Sequence, residues 1–133
     1  MTKKNPVVHF EMPYKDAKRV SKFYESSFGW GMNDAGPDMG NYLVATTTDT
    51  DENKMVKTPG TINGGFFGYD EKVPGRNIPS VVISVDNMEE AIKLVEAAGG
   101  KIEAKPQDIP GIGLWVVFID SEGNRVSLLQ ATR

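Results

Sequence analysis

Apolar and polar residues alternate along Val7–Met12, so a strand there puts Val8, Phe10 and Met12 on one face and Val7, His9 and Glu11 on the other. A helical stripe follows, formed by Ala17, Val20, Tyr24 and Ser27. Asp16 stands where an N-cap belongs, and Gly29 where glycine ends a helix in the left-handed conformation. A shift of 71 residues brings the same pattern round again. Ser80–Val85 alternates, with Val81, Ile83 and Val85 predicted on the covered face and Ser80, Val82 and Ser84 opposite. Met88, Ala91, Val95 and Ala98 make the second stripe, Asn87 with Glu90 resembles a capping box, and Gly99-Gly100 ends the helix. Strand-like sequence follows each helix. In the first half it is Tyr42–Thr48 and Thr61–Phe67, after a short strand near Trp30. In the second half it is Lys101–Ala104, Leu114–Ile119 and Arg125–Gln130, the last two joined by the turn Asp120-Ser-Glu-Gly-Asn124. Each half therefore reads β-α-β-β-β: module one over 5–68, a connector over 69–77, and module two over 78–133. The loop Gly31–Asn41 is either a lid or a surface connection. Asp49-Thr-Asp51-Glu-Asn53 opens like a calcium loop, but Lys54 and Gly60 stand where glycine and the bidentate carboxylate are required, so it reads as a solvated turn.

Composition narrows the function classes. The 133 residues carry 15 Lys+Arg against 18 Asp+Glu, a net charge of −3, and no Cys. A single domain of this size buries a sufficient core without staples. Disulfides, a thiol nucleophile and thiolate metal sites are excluded. With no basic run, nucleic acid and anionic membrane are not expected partners. The longest apolar run, Leu114–Ile119, is far short of a membrane span, and the first six residues lack a signal-peptide core. A soluble, cytoplasmic chain is expected.

The motifs His9-Phe-Glu-Met-Pro-Tyr-Lys-Asp16, Phe23-Tyr24 and Phe28-Gly29-Trp30 resemble the opening of vicinal oxygen chelate proteins, the glyoxalase / bleomycin-resistance / extradiol-dioxygenase superfamily. Val85-Asp-Asn-Met-Glu-Glu-Ala91, Ala98-Gly-Gly100, Pro110-Gly-Ile-Gly113 and Asp120–Asn124 are similar to its second module. The resemblance implies an α+β fold: two paired β-α-β-β-β modules forming a curved, partly open mixed sheet around a concave cavity, in a homodimer. It also implies four metal-ligand positions on the concave face in metal-dependent members, a His on the first strand and a Glu on the last strand of each module. Here His9 matches one of them. Ser80 and Ser127 stand at two others, and the fourth falls within Asn63-Gly64-Gly65. The expectation is therefore no metal and no cofactor.

His9 and Glu11 project from the same strand face and form the candidate catalytic pair. His9 could act as a general base oriented by Glu11, both could line a pocket, or both could be structural, with Glu11 paired to Arg125. A three-ligand metal site using His9, Glu11 and a further carboxylate is another arrangement. Ser80, Ser84, Trp115, Arg125 and Ser127 are the expected ligand-binding residues, Trp115 by stacking on a flat ligand if it faces inward. The leading expectation is metal-independent binding of a small molecule in the cavity, as in the bleomycin-resistance branch. The alternatives are a glyoxalase-like lyase or isomerase acting on a small oxygenated substrate, and a protein-interaction subunit. Fold alone does not choose among them.

Overall fold

The first alternating segment forms strand β1, Val7–Tyr14, in the computed structural model, which describes residues 3–132. Met1, Thr2 and Arg133 lie outside the described residues, as does part of the segment read as lacking a signal core. Helix α1, Ala17–Phe28, follows. The Asp16 carboxylate accepts from the Arg19 amide at 3.0 Å, and Gly29 closes the helix at φ 70°. Next come β2 (Gly31–Asp34), β3 (Leu43–Thr46) and β4 (Asn63–Gly68). The segment 31–41 is no free lid: β2 pairs antiparallel with β3, and Pro37–Met39 form a 3-10 turn closed by the Gly40 amide on the Pro37 carbonyl. The Asp51 carboxylate accepts from the Asn53 and Met55 amides beside a Thr50–Val56 bridge, the solvated turn expected.

The chain divides into two compact units. One is His9–Pro79, and the other joins Met1–Val8 with Ser80–Arg133. In the continuous unit the strand order is β2-β3-β4-β1, with β1 and β4 parallel. Leu43, Ala45 and Phe66 form its buried centre, covered by Phe10, Met12 and Tyr14 of β1 and by Ala17, Val20 and Tyr24 of α1. Trp30 packs here too, its ring stacked on Tyr24 at 4.6 Å between centroids. Burying a ring such as that of Phe66, 1% exposed, stabilises by about 1.5–3 kcal/mol.

The discontinuous unit holds β5 (Ser80–Ser84), α2 (Met88–Ala97), β6 (Lys101–Ile102), β7 (Gln107–Ile109), β8 (Gly113–Ile119) and β9 (Arg125–Ala131). Its order is β5-β9-β8-β6, with β7 on β8 and β5 parallel to β9. The backbone carbonyl of Pro6 accepts from the Ser84 amide at 2.9 Å. Helix α2 starts as its sequence requires: the Asn87 side chain accepts from the Glu90 amide, and the Gln130 side chain accepts from the Met88 amide at 2.6 Å. Val85, Met88, Val116, Phe118 and Leu128 form the core.

Two expectations change. Strand β7 was not foreseen, because Pro106 and Pro110 bracket only three paired residues. Val81, predicted on the covered face, is 37% exposed, whereas Val82, on the serine face, is 3% exposed. The opposite face of β5 is thus packed as well. Among the described residues, two helices and nine strands, in mixed and open order within each unit, make this an α+β fold as expected. Among the described residues no helix is long and apolar enough to cross a membrane.

Candidate functional site

Strand alternation sends Phe10 and Met12 into the core beneath α1, so His9 and Glu11 emerge on the other face of β1. Parallel pairing places Asn63 beside His9 and Gly65 beside Glu11 on β4. The register that sequence left ambiguous is therefore settled: Asn63 and Gly65 share the His9 face, and Gly64 lies on the core face.

Both glycines are required by close approach. A Cβ on Gly64 would overlap the Phe10 ring, and a Cβ on Gly65 would overlap the Tyr42 ring and hydroxyl. Each missing side chain is replaced by an aromatic ring from a neighbouring segment. Asn63 is engaged elsewhere, its side-chain oxygen accepting from the Thr47 and Thr48 amides at 2.7 and 3.0 Å.

Tyr42, the residue before β3, completes the site. Its hydroxyl donates to Glu11 Oε2 at 3.0 Å and shares a 2.9 Å hydrogen bond with His9 Nε2. The His9 and Tyr42 rings lie 19° from parallel, 6.5 Å apart. All three side chains are half-buried. Burial lowers the His9 pKa below its ordinary 6.5 and keeps the ring neutral. Burial first, then the charge and hydrogen bond of Glu11, push the Tyr42 phenol far above its ordinary value, so it stays protonated.

Sequence reasoning names His9 and Glu11 but not Tyr42, to which both are hydrogen-bonded. A signal was present: Tyr42 continues the alternation of Val44, opposite the core residues Leu43 and Ala45, and Gly64-Gly65 leaves two gaps in the neighbouring strand that large residues must fill.

The other five expected site residues fall in the discontinuous unit and share one sheet face there. Ile83, Leu114, Val116, Phe118, Val126 and Leu128 pack with α2. The alternate positions Ser80, Ser84, Trp115, Arg125 and Ser127 therefore face away from that helix. Ser127 lies between Val82 and Val117 and is 3% exposed, while Trp115 and Arg125 are half-buried opposite Leu129 and Ile119.

The residues do not fit a divalent metal in the arrangement the resemblance implies. His9 Nε2 is already bonded to Tyr42, the Tyr42 ring fills the space of any side chain at 65, and Ser80 and Ser127 offer only hydroxyls. Among the described residues no three His, Asp or Glu converge to hold an ion.

Residues 7–128 match the sequence profile of the Glyoxalase/Bleomycin resistance protein/Dioxygenase superfamily. The chain is 27% identical over 121 residues to the anthracycline biosynthesis protein DnrV of Streptomyces peucetius, covering 86% of this chain and 42% of that one. It is 26% identical over 121 residues to a probable chloroplastic lactoylglutathione lyase of Arabidopsis thaliana, covering 89% and 33%. It thus spans less than half the length of these relatives. Among solved structures, a methylmalonyl-CoA epimerase superposes with a TM-score of 0.68 at 17% identity, covering 96% of this chain and 95% of that one. A superfamily member from Vibrio splendidus superposes at 0.58 with 15% identity, covering 94% and 97%. At these identities the likeness shows the fold.

Proposed function

The chain belongs to the glyoxalase / bleomycin resistance / dioxygenase superfamily, and within it we propose that this protein binds a small organic molecule, without a metal, at the His9–Tyr42–Glu11 face of β1. One observation carries the reading: the Tyr42 hydroxyl sits over Gly65 and ties His9 Nε2 to Glu11. A tyrosine hydroxyl and a neutral imidazole, half-buried and already oriented, suit direct hydrogen bonding to a ligand, as convergent polar groups in a binding site do.

The test is elemental analysis of protein purified without chelator, followed by a thermal-shift screen in EDTA. Expected are substoichiometric Ni, Zn, Mn and Fe and an unchanged melting temperature in EDTA. A ligand at 100-fold its Kd should add about 2.7 kcal/mol of stability, a gain lost in His9→Ala. Stoichiometric metal that disappears in His9→Ala would overturn the reading.

A second reading, a glyoxalase-like lyase or isomerase, is favoured by one feature: burial keeps His9 in the neutral form a general base requires. Charge developing on the substrate would then be met by the protonated His9, or by backbone donors. Turnover of the methylglyoxal–glutathione adduct that falls with His9→Ala would support it, and an unchanged rate in the variant would remove His9 from any mechanism.

A further inference from the structure

Resting on the metal-independent reading of this site, we propose that Tyr42 is a positioning residue. It holds His9 as the Nε2–H tautomer, so that the site receives ligands through an O–H or N–H that they donate to Nδ1.

The argument counts protons. An ionised Glu11 carboxylate only accepts, and Tyr42 has a single hydroxyl proton, which it donates to Glu11 Oε2 at 3.0 Å. The Tyr42 oxygen then meets His9 Nε2, 2.9 Å away, with a lone pair, so the proton in that bond is carried by Nε2. A neutral imidazole has one N–H, which leaves Nδ1 with its lone pair. Nδ1 makes no hydrogen bond to any described residue. No partnerless side-chain N or O in the described structure is sealed from solvent, so Nδ1 is reachable.

Tyr42 is well placed to impose this order. Its ring packs against the bare backbone of Gly65 on β4, which is hydrogen-bonded to strands on both sides. Nδ1 and the remaining lone pair on Tyr42 are both acceptors. The complementary ligand therefore presents hydrogen-bond donors, and an analogue lacking the donor leaves Nδ1 unpaired when water is displaced.

His9 is the single histidine in the chain, so its imidazole 15N resonances need no assignment. In the wild-type protein at pH 7.5, Nδ1 is expected in the unprotonated range and Nε2 in the protonated range. Tyr42→Phe keeps the ring and removes the hydroxyl. Both nitrogens should then move to the averaged shifts of mixed tautomers, a change that loss of packing alone would not produce. A wild-type Nδ1–H tautomer, measured without any variant, would overturn the proposal, as would unmoved shifts in folded Tyr42→Phe.

Phenol and anisole, alike in shape, probe the ligand side. Phenol should shift Nδ1 saturably toward the protonated range, anisole should not, and Tyr42→Phe should weaken phenol by about tenfold, near 1.4 kcal/mol. Phenol without effect, or anisole matching it, would overturn the ligand assignment. Failure of the metal-free reading is separately visible, because bound metal registers in elemental analysis whatever the tautomer.

Discussion

Gly65→Ala is the sharpest perturbation of the site. The added methyl would lie inside the Tyr42 ring and hydroxyl. Gly65 cannot easily retreat, since it is held in register with Glu11 on one side and Val44 on the other. The tyrosine must therefore swing away. Overpacking of this kind costs about 1–3 kcal/mol. The displaced hydroxyl also loses its hydrogen bond to a carboxylate, about 1.5–3 kcal/mol, and the one shared with His9, about 1 kcal/mol, partly regained from water. Alanine recovers roughly 0.5–1 kcal/mol over glycine in a strand. A net loss near 3 kcal/mol follows, lowering Tm by on the order of 10 °C in a chain of this size. The assay is urea unfolding of a double-mutant cycle. With Tyr42→Ala already in place the clash and both bonds are gone, and Gly65→Ala should become neutral or mildly stabilising. An equal cost of Gly65→Ala in both backgrounds would refute the account of Tyr42 as the occupant of that space.

The remaining predictions concern protons and packing. Because the folded chain resists protonating His9, its contribution to stability is present above the ordinary pKa of 6.5 and is lost as pH falls through the lowered folded-state value; thermal melts in that interval should decline for wild type and flatten in His9→Gln. Tyr42 works in the opposite direction, its raised pKa contributing below pH 10 and fading as pH climbs beyond it. Its phenolate absorbance, read as wild type minus Tyr42→Phe, should develop only above pH 10. Phe66→Ala, emptying a site 1% exposed, should cost about 3–5 kcal/mol by chemical denaturation.

Much of the fold was legible because its signals are local. Asp16 and Asn87 announce the two helices, and each side chain accepts from an amide three residues on. The alternation about His9 and Glu11 gives their shared face directly, as it does for Ser80 and Ser84. What escaped depends on neighbours distant in sequence. Tyr42 reads as one more strand residue until Gly65 is placed beside it, and nothing in 107–109 signals a strand until Trp115 lies opposite. Val82, on the face of β5 away from α2, is 3% exposed, which periodicity within β5 cannot reveal.

The discontinuous unit has a consequence for how the protein is made. Residues 9–79 leave the ribosome as one stretch and can fold while translation continues. Residues 3–8 precede that stretch yet belong with residues 80–132, so this segment must wait for those that follow. Its Pro6 carbonyl finds the Ser84 amide only after that delay. Until residue 84 follows, Val7 and Val8 remain apart from the unit they belong to.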